Sequence, residues 1–160
     1  AAVMTVRLVT YLDAEFLGAL HAACFPDDVW DGAAMAALLA TPGTWGLIAA
    51  DGTCSPPEPA GLILCRSMVD EAEILTFGVR LMARRRGVGR VLLNAALRHA
   101  QAQGVAQVFL EVAEDNLPAR SLYADSGFAQ VGRRSGYYQK AHAPALDALV
   151  LMKDLLANEY

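Results

Sequence analysis

The sequence is poor in cysteine, histidine and charged residues, and each shortage excludes a class of protein. Its three cysteines, Cys24, Cys54 and Cys65, are an odd number at uneven spacings, which indicates reduced thiols rather than a disulfide framework. Its three histidines have no cysteine or carboxylate at ligand spacing, so we expect no metal site. Only 19% of the residues are charged and 55% are hydrophobic, a composition that excludes intrinsic disorder.

Long apolar segments and a strong charge imbalance are absent too. Uninterrupted apolar runs, such as Ala148–Met152, are much shorter than the roughly 20 residues that cross a bilayer, and the start lacks the basic and apolar segments of a signal peptide. The formal net charge of −4 does not favour general binding to nucleic acid. We therefore expect a single cytoplasmic domain over residues 1–160, without a membrane segment, as a monomer or weak dimer.

Hydrophobic periodicity divides the chain into strands and helices. Helical spacing of apolar residues predicts two helices capped by Asp13 and Asp31, a helix over 87–103, and a helix over 117–125 capped by Asn116. Apolar and β-branched runs predict seven strands, at 6–9, 45–50, 60–66, 71–79, 105–113, 128–134 and 146–154. Strands mixed with helices, with a strand–helix–strand unit in the middle, predict an α/β layered domain.

The segment R-R-R-G-V-G-R at residues 84–90 lies between a predicted strand and a predicted helix. Gly87 and Gly89 let the backbone come close to an anion, and the free N–H groups of the helix's first turn, including that of Val88, point at it. We interpret this segment as a phosphate-binding turn, although the motif alone is weak and a charged loop capping an ordinary helix is the alternative. Positive charge and bidentate donors come from the arginines of the segment, Arg84, Arg85, Arg86 and Arg90.

Four consecutive segments carry a resemblance to a known family. In order they read A-E-I-L-T-F-G-V, R-R-R-G-V-G-R, V-F-L-E-V-A-E-D-N and L-Y-x-x-x-G-F, within residues 72–128. This stretch resembles the GNAT superfamily of acyl-CoA-dependent N-acetyltransferases, and within it the RimI-like ribosomal-protein-alanine N-acetyltransferases. The resemblance implies a mixed, mostly antiparallel central sheet of six to seven strands with flanking helices and a V-shaped splay between the two central strands. It also implies acetyl-CoA as cofactor, with the acyl-pantetheine arm filling the splay.

Two further groups of residues are expected to hold this cofactor. Gly78 predicts a bulge or a close backbone approach in the strand 71–79. A bulge at Phe77-Gly78-Val79 would free a backbone N–H for the thioester oxygen. Asn116 is expected to cap the helix that follows it and, as the resemblance implies, to contact pantetheine with its side chain.

Glu111 and Tyr123 match the positions that RimI-like enzymes use as general base, acting through water, and as general acid. From the residues alone, Glu111 could equally lie on a solvated sheet face, and Tyr123 would belong to the core. Glu73 is a rival base, because its A-E-I setting resembles the strand that carries the base in histone-type members of the superfamily. We place Glu111 ahead of Glu73 because the rest of the match is RimI-like.

The acceptor is expected to bind near the loop 137–144, with Tyr137, Tyr138 and Arg134 as substrate residues. The resemblance implies a protein or peptide N-terminus as acceptor, in first place the N-terminal alanine of a small-subunit ribosomal protein. The sequence departs from the family pattern at Leu146, where an acidic residue is common, and in the composition of the loop. A small-molecule amine or a lysine side chain is the alternative acceptor, and a non-catalytic acyl-CoA-binding module is the alternative function.

Overall fold

The computed structural model describes residues 3–84, 86–140 and 143–156, without the side chains of residues 139, 140 and 143. Seven strands form one sheet in the order β1-β2-β3-β4-β5-β7-β6, and only the β4–β5 pair is parallel. The strands are β1 (Met4–Leu8), β2 (Thr44–Asp51), β3 (Glu58–Met68), β4 (Glu71–Val79), β5 (Gln107–Ala113), β6 (Ala129–Lys140) and β7 (Ala143–Asp154). The helices are α1 (Ala14–Cys24), α2 (Gly32–Ala40), α3 (Val88–Ala102) and α4 (Leu117–Asp125). The predicted mixed, mostly antiparallel sheet with flanking helices is confirmed.

The sheet is covered by a helical layer on each face. Strict alternation in β5 sends Val108, Leu110 and Val112 into the core under α3 and α4, and turns Glu111 to the opposite side. On that opposite side α1 and α2 pack on β2 and β3, where Leu17 and Leu62 are fully buried. We refer to these two sides as the α3 face and the α1 face.

β4 and β5 are paired at one end and diverge at the other. They pair only where Glu71–Glu73 meets Gln107–Phe109. Beyond this point β4 stays paired with β3 as far as Val79, and β5 stays paired with β7 as far as Ala113. The predicted V-shaped splay between the two central strands is therefore confirmed, and it leaves one backbone edge of each strand without a strand partner.

The bulge in β4 is at Leu75, so the prediction that placed it at Phe77-Gly78-Val79 is wrong. Leu64 of β3 pairs with Thr76 and Cys65 pairs with Ile74, which leaves Leu75 as the extra residue. Phe77, Gly78 and Val79 continue in regular register with β3. One extra residue reverses the alternation, so that Thr76 faces α1 and Phe77 faces α3.

The end of the chain also differs from prediction. Residues 137–140 extend β6 instead of forming part of a loop, and β7 begins at residue 143. β6 holds this length against β7 through several register shifts, with Gly136 in the left-handed region at φ +64. Arg134, Tyr137 and Tyr138 therefore project from a long hairpin.

The helix caps follow the sequence in part. The Asp31 carboxylate accepts the N–H of Ala34 at 2.9 Å and caps α2, as predicted. Asp13 does not cap α1, because its carboxylate accepts instead from the Thr10 N–H and the Arg7 guanidinium. Across the described parts of the chain, none of the helices has the length and apolar character needed to cross a membrane.

Candidate active site

The turn before α3 has the backbone geometry of an anion site. Gly87 is the N-cap of α3 with φ +79, in the left-handed region, and a Cβ added to it would meet nothing within 4 Å. Its carbonyl accepts the N–H of Val91 at 3.0 Å, so the N–H groups of residues 88–90 have no partner within the helix. The Val88 side chain is buried, and that residue can offer a ligand only its backbone. The turn therefore combines open space with N–H groups that have no partner among the described residues, and with the positive end of a helix.

Three of the arginines around this turn, Arg84, Arg86 and Arg90, are exposed. The Nε of Arg84 donates to the Val79 carbonyl at 3.1 Å, which ties the turn to the end of β4. Arg90 lies 3.4 Å from Asp125 of α4, in a pair so exposed that it adds little stability. Arg86 is exposed. Arg85 lies outside the described residues.

Gly89 has a different structural role from Gly87. A Cβ at Gly89 would lie 3.4 Å from Leu122, 3.5 Å from Phe77 and 3.8 Å from Val79. Gly89 is thus the point where α3, α4 and the diverging half of β4 come together. A side chain larger than alanine here would enter the space between those elements rather than the space in front of the turn.

Tyr123 of α4 lies beside the diverging half of β4. Its ring is 6.2 Å from Phe77 and 5.6 Å from Phe128, centroid to centroid, and the residue is 7% exposed. Burial, and next the Cys65 thiol, raise the pKa of the Tyr123 phenol. The hydroxyl is therefore protonated at neutral pH, which is the state that a proton donor needs.

Glu111 is placed where β5 has lost β4 as a neighbour, on the α1 face. Its side chain is 19% exposed, and Oε1 forms an ion pair with Nε of Arg134 at 2.8 Å. The Arg134 guanidinium also lies over the Tyr137 ring, 5.6 Å from its centroid. Glu111 and Tyr123 thus lie on opposite faces of the sheet at the same divergence, one toward α1 and one toward α4.

Glu73 is at the closed end of the V. It is exposed and forms the last β4–β5 pair, opposite Phe109. Phe77 and Gly78 lie beyond this pair, along the part of β4 that has separated from β5. Glu73 is therefore farther from the open cleft than Glu111, which lies on β5 beyond the last β4–β5 pair.

Asn116 caps α4, as predicted from the sequence. Its Oδ1 accepts the Ala119 N–H at 3.3 Å. The cap fixes where α4 begins, directly after the end of β5, and so fixes Tyr123 within the helix.

The phenol of Tyr138 is influenced by two carboxylates, one from β5 and one from the connection between α1 and α2. Burial, then the neighbouring Tyr137, then the carboxylates of Glu111 and Asp28 raise the pKa of Tyr138. Asp28 belongs to the connection between α1 and α2 and accepts the Trp30 indole N–H at 3.2 Å. The Asp28 carboxylate of this connection is therefore near enough to the Tyr138 phenol to act on it electrostatically.

An ion-pair network that the sequence analysis missed anchors this hairpin. Arg133 donates to Glu114 at 2.9 Å and to Asp147 at 2.7 Å, and the Asp147 carboxylate accepts the Gly136 N–H at 2.9 Å. The guanidinium of Arg133 holds the pKa of Asp147 below its usual range. The network joins the end of β5 to the bulged part of β6 beside Arg134.

His21 is a second residue whose role the sequence did not suggest. It is 1% exposed, and its Nε2 is 3.1 Å from Oγ1 of Thr76. Its spacing from Leu17 and Cys24 on the buried side of α1 is the signal from which its burial could have been predicted, although that signal does not reveal what it contacts. No group of three or more His, Cys, Asp or Glu side chains suited to a metal ion occurs among the residues that the structure describes.

Comparison with known proteins agrees with this geometry. The model of the family described as Acetyltransferase (GNAT) family matches residues 7–128. The chain is 36% identical to the N-alpha-acetyltransferase RimI of Mycobacterium tuberculosis over 152 residues, which cover 94% of this chain and 92% of that protein. It is 30% identical to a [ribosomal protein bS18]-alanine N-acetyltransferase of Haemophilus ducreyi over 55% of this chain, and it spans about three fifths of that relative's length, 61%.

A solved structure extends the likeness to the whole fold. The ribosomal-protein-S18-alanine N-acetyltransferase from Escherichia coli superposes with a TM-score of 0.84 at 21% identity, over 95% of this chain and 94% of that one. At this identity the likeness concerns the fold alone.

Proposed function

This chain belongs to the acetyltransferase (GNAT) family, and on that premise we propose that it transfers the acetyl group of acetyl-CoA to the N-terminal amine of a protein. The acceptor that we put first is the N-terminal alanine of a small-subunit ribosomal protein, in the cytoplasm. The observation that carries the proposal is the divergence of β4 from β5, with Tyr123 on its α3 face and Glu111 on its α1 face. The 36% identity over nearly the whole length of an N-alpha-acetyltransferase supports the choice of acceptor.

The residues on the α3 face suit acetyl-CoA. The N–H groups of residues 88–90, Gly87 and the exposed arginines Arg84, Arg86 and Arg90 would hold its phosphates, and Arg85 completes the basic segment. The unpaired edge of β4 over Phe77–Val79 would bind the pantetheine arm along the splay, with Asn116 at the start of α4 as a further polar contact. When bound, acetyl-CoA supplies a thioester carbonyl that an amine can attack.

The residues around the cleft divide the chemistry between them. A backbone N–H on the free edge of β4 would donate to the oxyanion that forms at the thioester carbon. Glu111 would take a proton from the acceptor amine through a water molecule, and Tyr123 would donate its phenol proton to the departing thiolate. Arg134 would keep Glu111 paired until the ammonium of the acceptor takes the place of the guanidinium.

A mild base such as Glu111 matches an α-amine better than a lysine. At pH 7 an α-amine of pKa about 7.8 is roughly 14% neutral, whereas a lysine of pKa about 10.4 is about 0.04% neutral. Tyr137, Tyr138 and Arg134 on the β6 hairpin would contact the first residues of the acceptor on the same face as Glu111.

The test uses purified protein with acetyl-CoA and three acceptors. These are a peptide that begins with alanine, the same peptide with a formylated N-terminus and an internal lysine, and a small primary amine. We expect mass spectrometry to find acetylation at the free N-terminus of the first peptide, and the Glu111→Gln/Tyr123→Phe double variant serves as the inactive control. Transfer to the small amine or the lysine instead would move that acceptor ahead, and acetyl-CoA binding without any transfer would favour a non-catalytic module.

A further inference from the structure

The imidazole of His21 is buried between α1 and the part of β4 that has left β5. Nε2 of His21 is 3.1 Å from Oγ1 of Thr76, and Nδ1 is buried without a hydrogen-bond partner among the described residues. The residue is 1% exposed, and burying a polar atom costs folding free energy unless that atom is hydrogen-bonded. The side-chain hydrogen bond between His21 and Thr76 joins two elements that are 55 residues apart in sequence.

Thr76 occupies a position in β4 that needs an outside support. It follows the bulge at Leu75, and the bulge is what turns its hydroxyl toward α1. At this point β4 has strand pairing on the β3 side only. The bond from His21 therefore fixes the separated half of β4 directly after the residue where its alternation reverses.

A second contact of α1 reaches the same half of β4. A Cβ added to Gly78 would lie 2.7 Å from the Phe25 ring and 2.9 Å from Cβ of Cys24. The last turn of α1 is thus pressed on the β4 backbone. His21 and Phe25 hold Thr76 and Gly78, on either side of Phe77.

The same imidazole also holds the α1–α2 connection. The His21 ring stacks on Trp30 at 4.6 Å with an interplanar angle of 15°, and it lies 4.8 Å from Phe25 at 44°. Trp30 in turn donates its indole N–H to Asp28, and the charge of Asp28 contributes to the raised pKa of Tyr138. One side chain therefore contacts both β4 and the α1–α2 connection.

We propose that His21 is a positioning residue, which through Thr76 holds the free edge of β4 where it meets the acetyl thioester and through Trp30 holds the α1–α2 connection against the acceptor. The proposal rests on the proposed function in one respect: the free edge of β4 is the surface that receives the thioester. His21 touches neither substrate in this assignment.

The first test compares Thr76→Val with Thr76→Ser. Valine has the shape of threonine and removes only the hydroxyl, whereas serine keeps the bond to His21. Because a displacement of about 1 Å can cost about a hundredfold in rate, we expect Thr76→Val to lower kcat by roughly 10- to 100-fold with little change in the KM for acetyl-CoA, and Thr76→Ser to stay within about threefold of wild type. Equal kcat values in the two variants would overturn the proposal.

A double variant separates positioning from stability. Thr76→Val leaves the His21 nitrogen without a partner, so part of its effect is a lower Tm. In His21→Phe/Thr76→Val both polar groups are gone and the aromatic stack on Trp30 is kept, so we expect the Tm to recover while kcat stays low. Recovery of kcat together with Tm would assign His21 to stability alone.

The last test does not depend on the acceptor or on turnover. Amide hydrogen exchange of the β4 segment should rise in Thr76→Val over residues 75–79 and not over the paired residues 71–73. If wild type acetylates none of the acceptors but the exchange pattern is as expected, the proposed function fails and the positioning role of His21 stands. If exchange is unchanged, the positioning role fails whatever the acceptor is.

Discussion

At the scale of single residues, Glu111 and Glu73 compete for the role of base, and their surroundings differ. Glu111 is partly buried, held by Arg134, and lies where β5 has no β4 neighbour. Glu73 is exposed at the closed vertex of the V. For this reason we propose Glu111, rather than Glu73, as the carboxylate that reaches an acceptor amine in the open cleft.

We expect Glu111→Gln to depress kcat/KM most at low pH, where the acceptor amine most needs deprotonation. The defect should shrink as pH approaches the amine's own pKa of about 7.8, because free amine then arrives without help. Glu73→Gln should give a smaller and flatter loss. A pH–rate profile of each variant on an alanine-initiated peptide decides between them, and a steeper acid-limb defect in Glu73→Gln would reverse the two roles.

Tyr123→Phe tests the proton donor. The substitution removes the phenol proton and keeps the ring contacts with Phe77 and Phe128. We expect kcat to fall by roughly one to three orders of magnitude with acetyl-CoA affinity nearly unchanged, because the loss concerns the departing thiolate and not the bound donor. Steady-state kinetics together with a binding titration measure both quantities, and unchanged turnover would return Tyr123 to a packing role.

His21 should make stability depend on pH in mildly acidic solution. Burial lowers the pKa of His21, with the Asp28 carboxylate acting in the opposite direction, so the folded protein favours the neutral ring. The stabilisation is fully present above the unfolded pKa of about 6.5 and is lost as pH falls through the folded value. We expect urea unfolding at pH 7.5 and 5.5 to show a larger loss of stability in wild type than in His21→Phe. Equal losses would contradict a buried neutral histidine.

At the scale of elements, the sequence predicts where strands and helices lie better than how they are adjusted. The bounds of β4 and α3 were predicted to within a residue, because their apolar patterns are long and regular. The bulge was predicted at Phe77-Gly78-Val79 because glycine tolerates irregular backbone. In the structure, glycine is needed at position 78 for another reason: a side chain there would collide with Phe25 and Cys24. That reason depends on α1, which packs against β4 from far away in sequence, and no local pattern contains it.

The site divides in the same way. The caps at Asp31 and Asn116 and the glycine turn that opens α3 depend on neighbouring residues, and these could be predicted. Phosphate binding at that turn stays a prediction. The pairing of Arg134 with Glu111 and of His21 with Thr76 depends on tertiary packing, which periodicity does not specify.

Gly78→Ala tests the contact between α1 and β4. The new methyl group would lie within 3 Å of Phe25 and Cys24, so we expect a loss of about 1–3 kcal/mol in unfolding free energy. Gly132→Ala in β6 is the matched control, because its Cβ would lie 3.5 Å from Val150, an ordinary contact. Denaturant melts of both variants should show a clear loss only at Gly78. A Gly78→Ala variant as stable as wild type would mean that α1 is not pressed against the strand.

At the scale of the whole molecule, acetyl-CoA should stabilise the folded chain, because the turn and the splay exist only when it is folded. At about 100 times its Kd it should contribute about 2.7 kcal/mol, or roughly 5–11 °C in Tm. Gly87→Val should abolish the ligand-induced shift by filling the space before α3. Gly104→Val is the control at the other end of the helix, since Gly104 has φ +86 and equally open space. A full shift in Gly87→Val, measured by thermal denaturation, would move the cofactor away from this turn.

The divergence of β4 from β5 has a consequence for the order of events in turnover. Under the proposed function, acetyl-CoA binds on the face of Tyr123 and the acceptor binds on the face of Glu111, so neither substrate has to leave before the other binds. We therefore expect direct transfer without an acetyl-enzyme intermediate. Double-reciprocal plots of initial rates at several acceptor concentrations should then intersect rather than run parallel. CoA that stays bound after the transfer leaves the acceptor site free. We therefore expect dead-end complexes of enzyme, CoA and acceptor, and noncompetitive inhibition by CoA against the peptide.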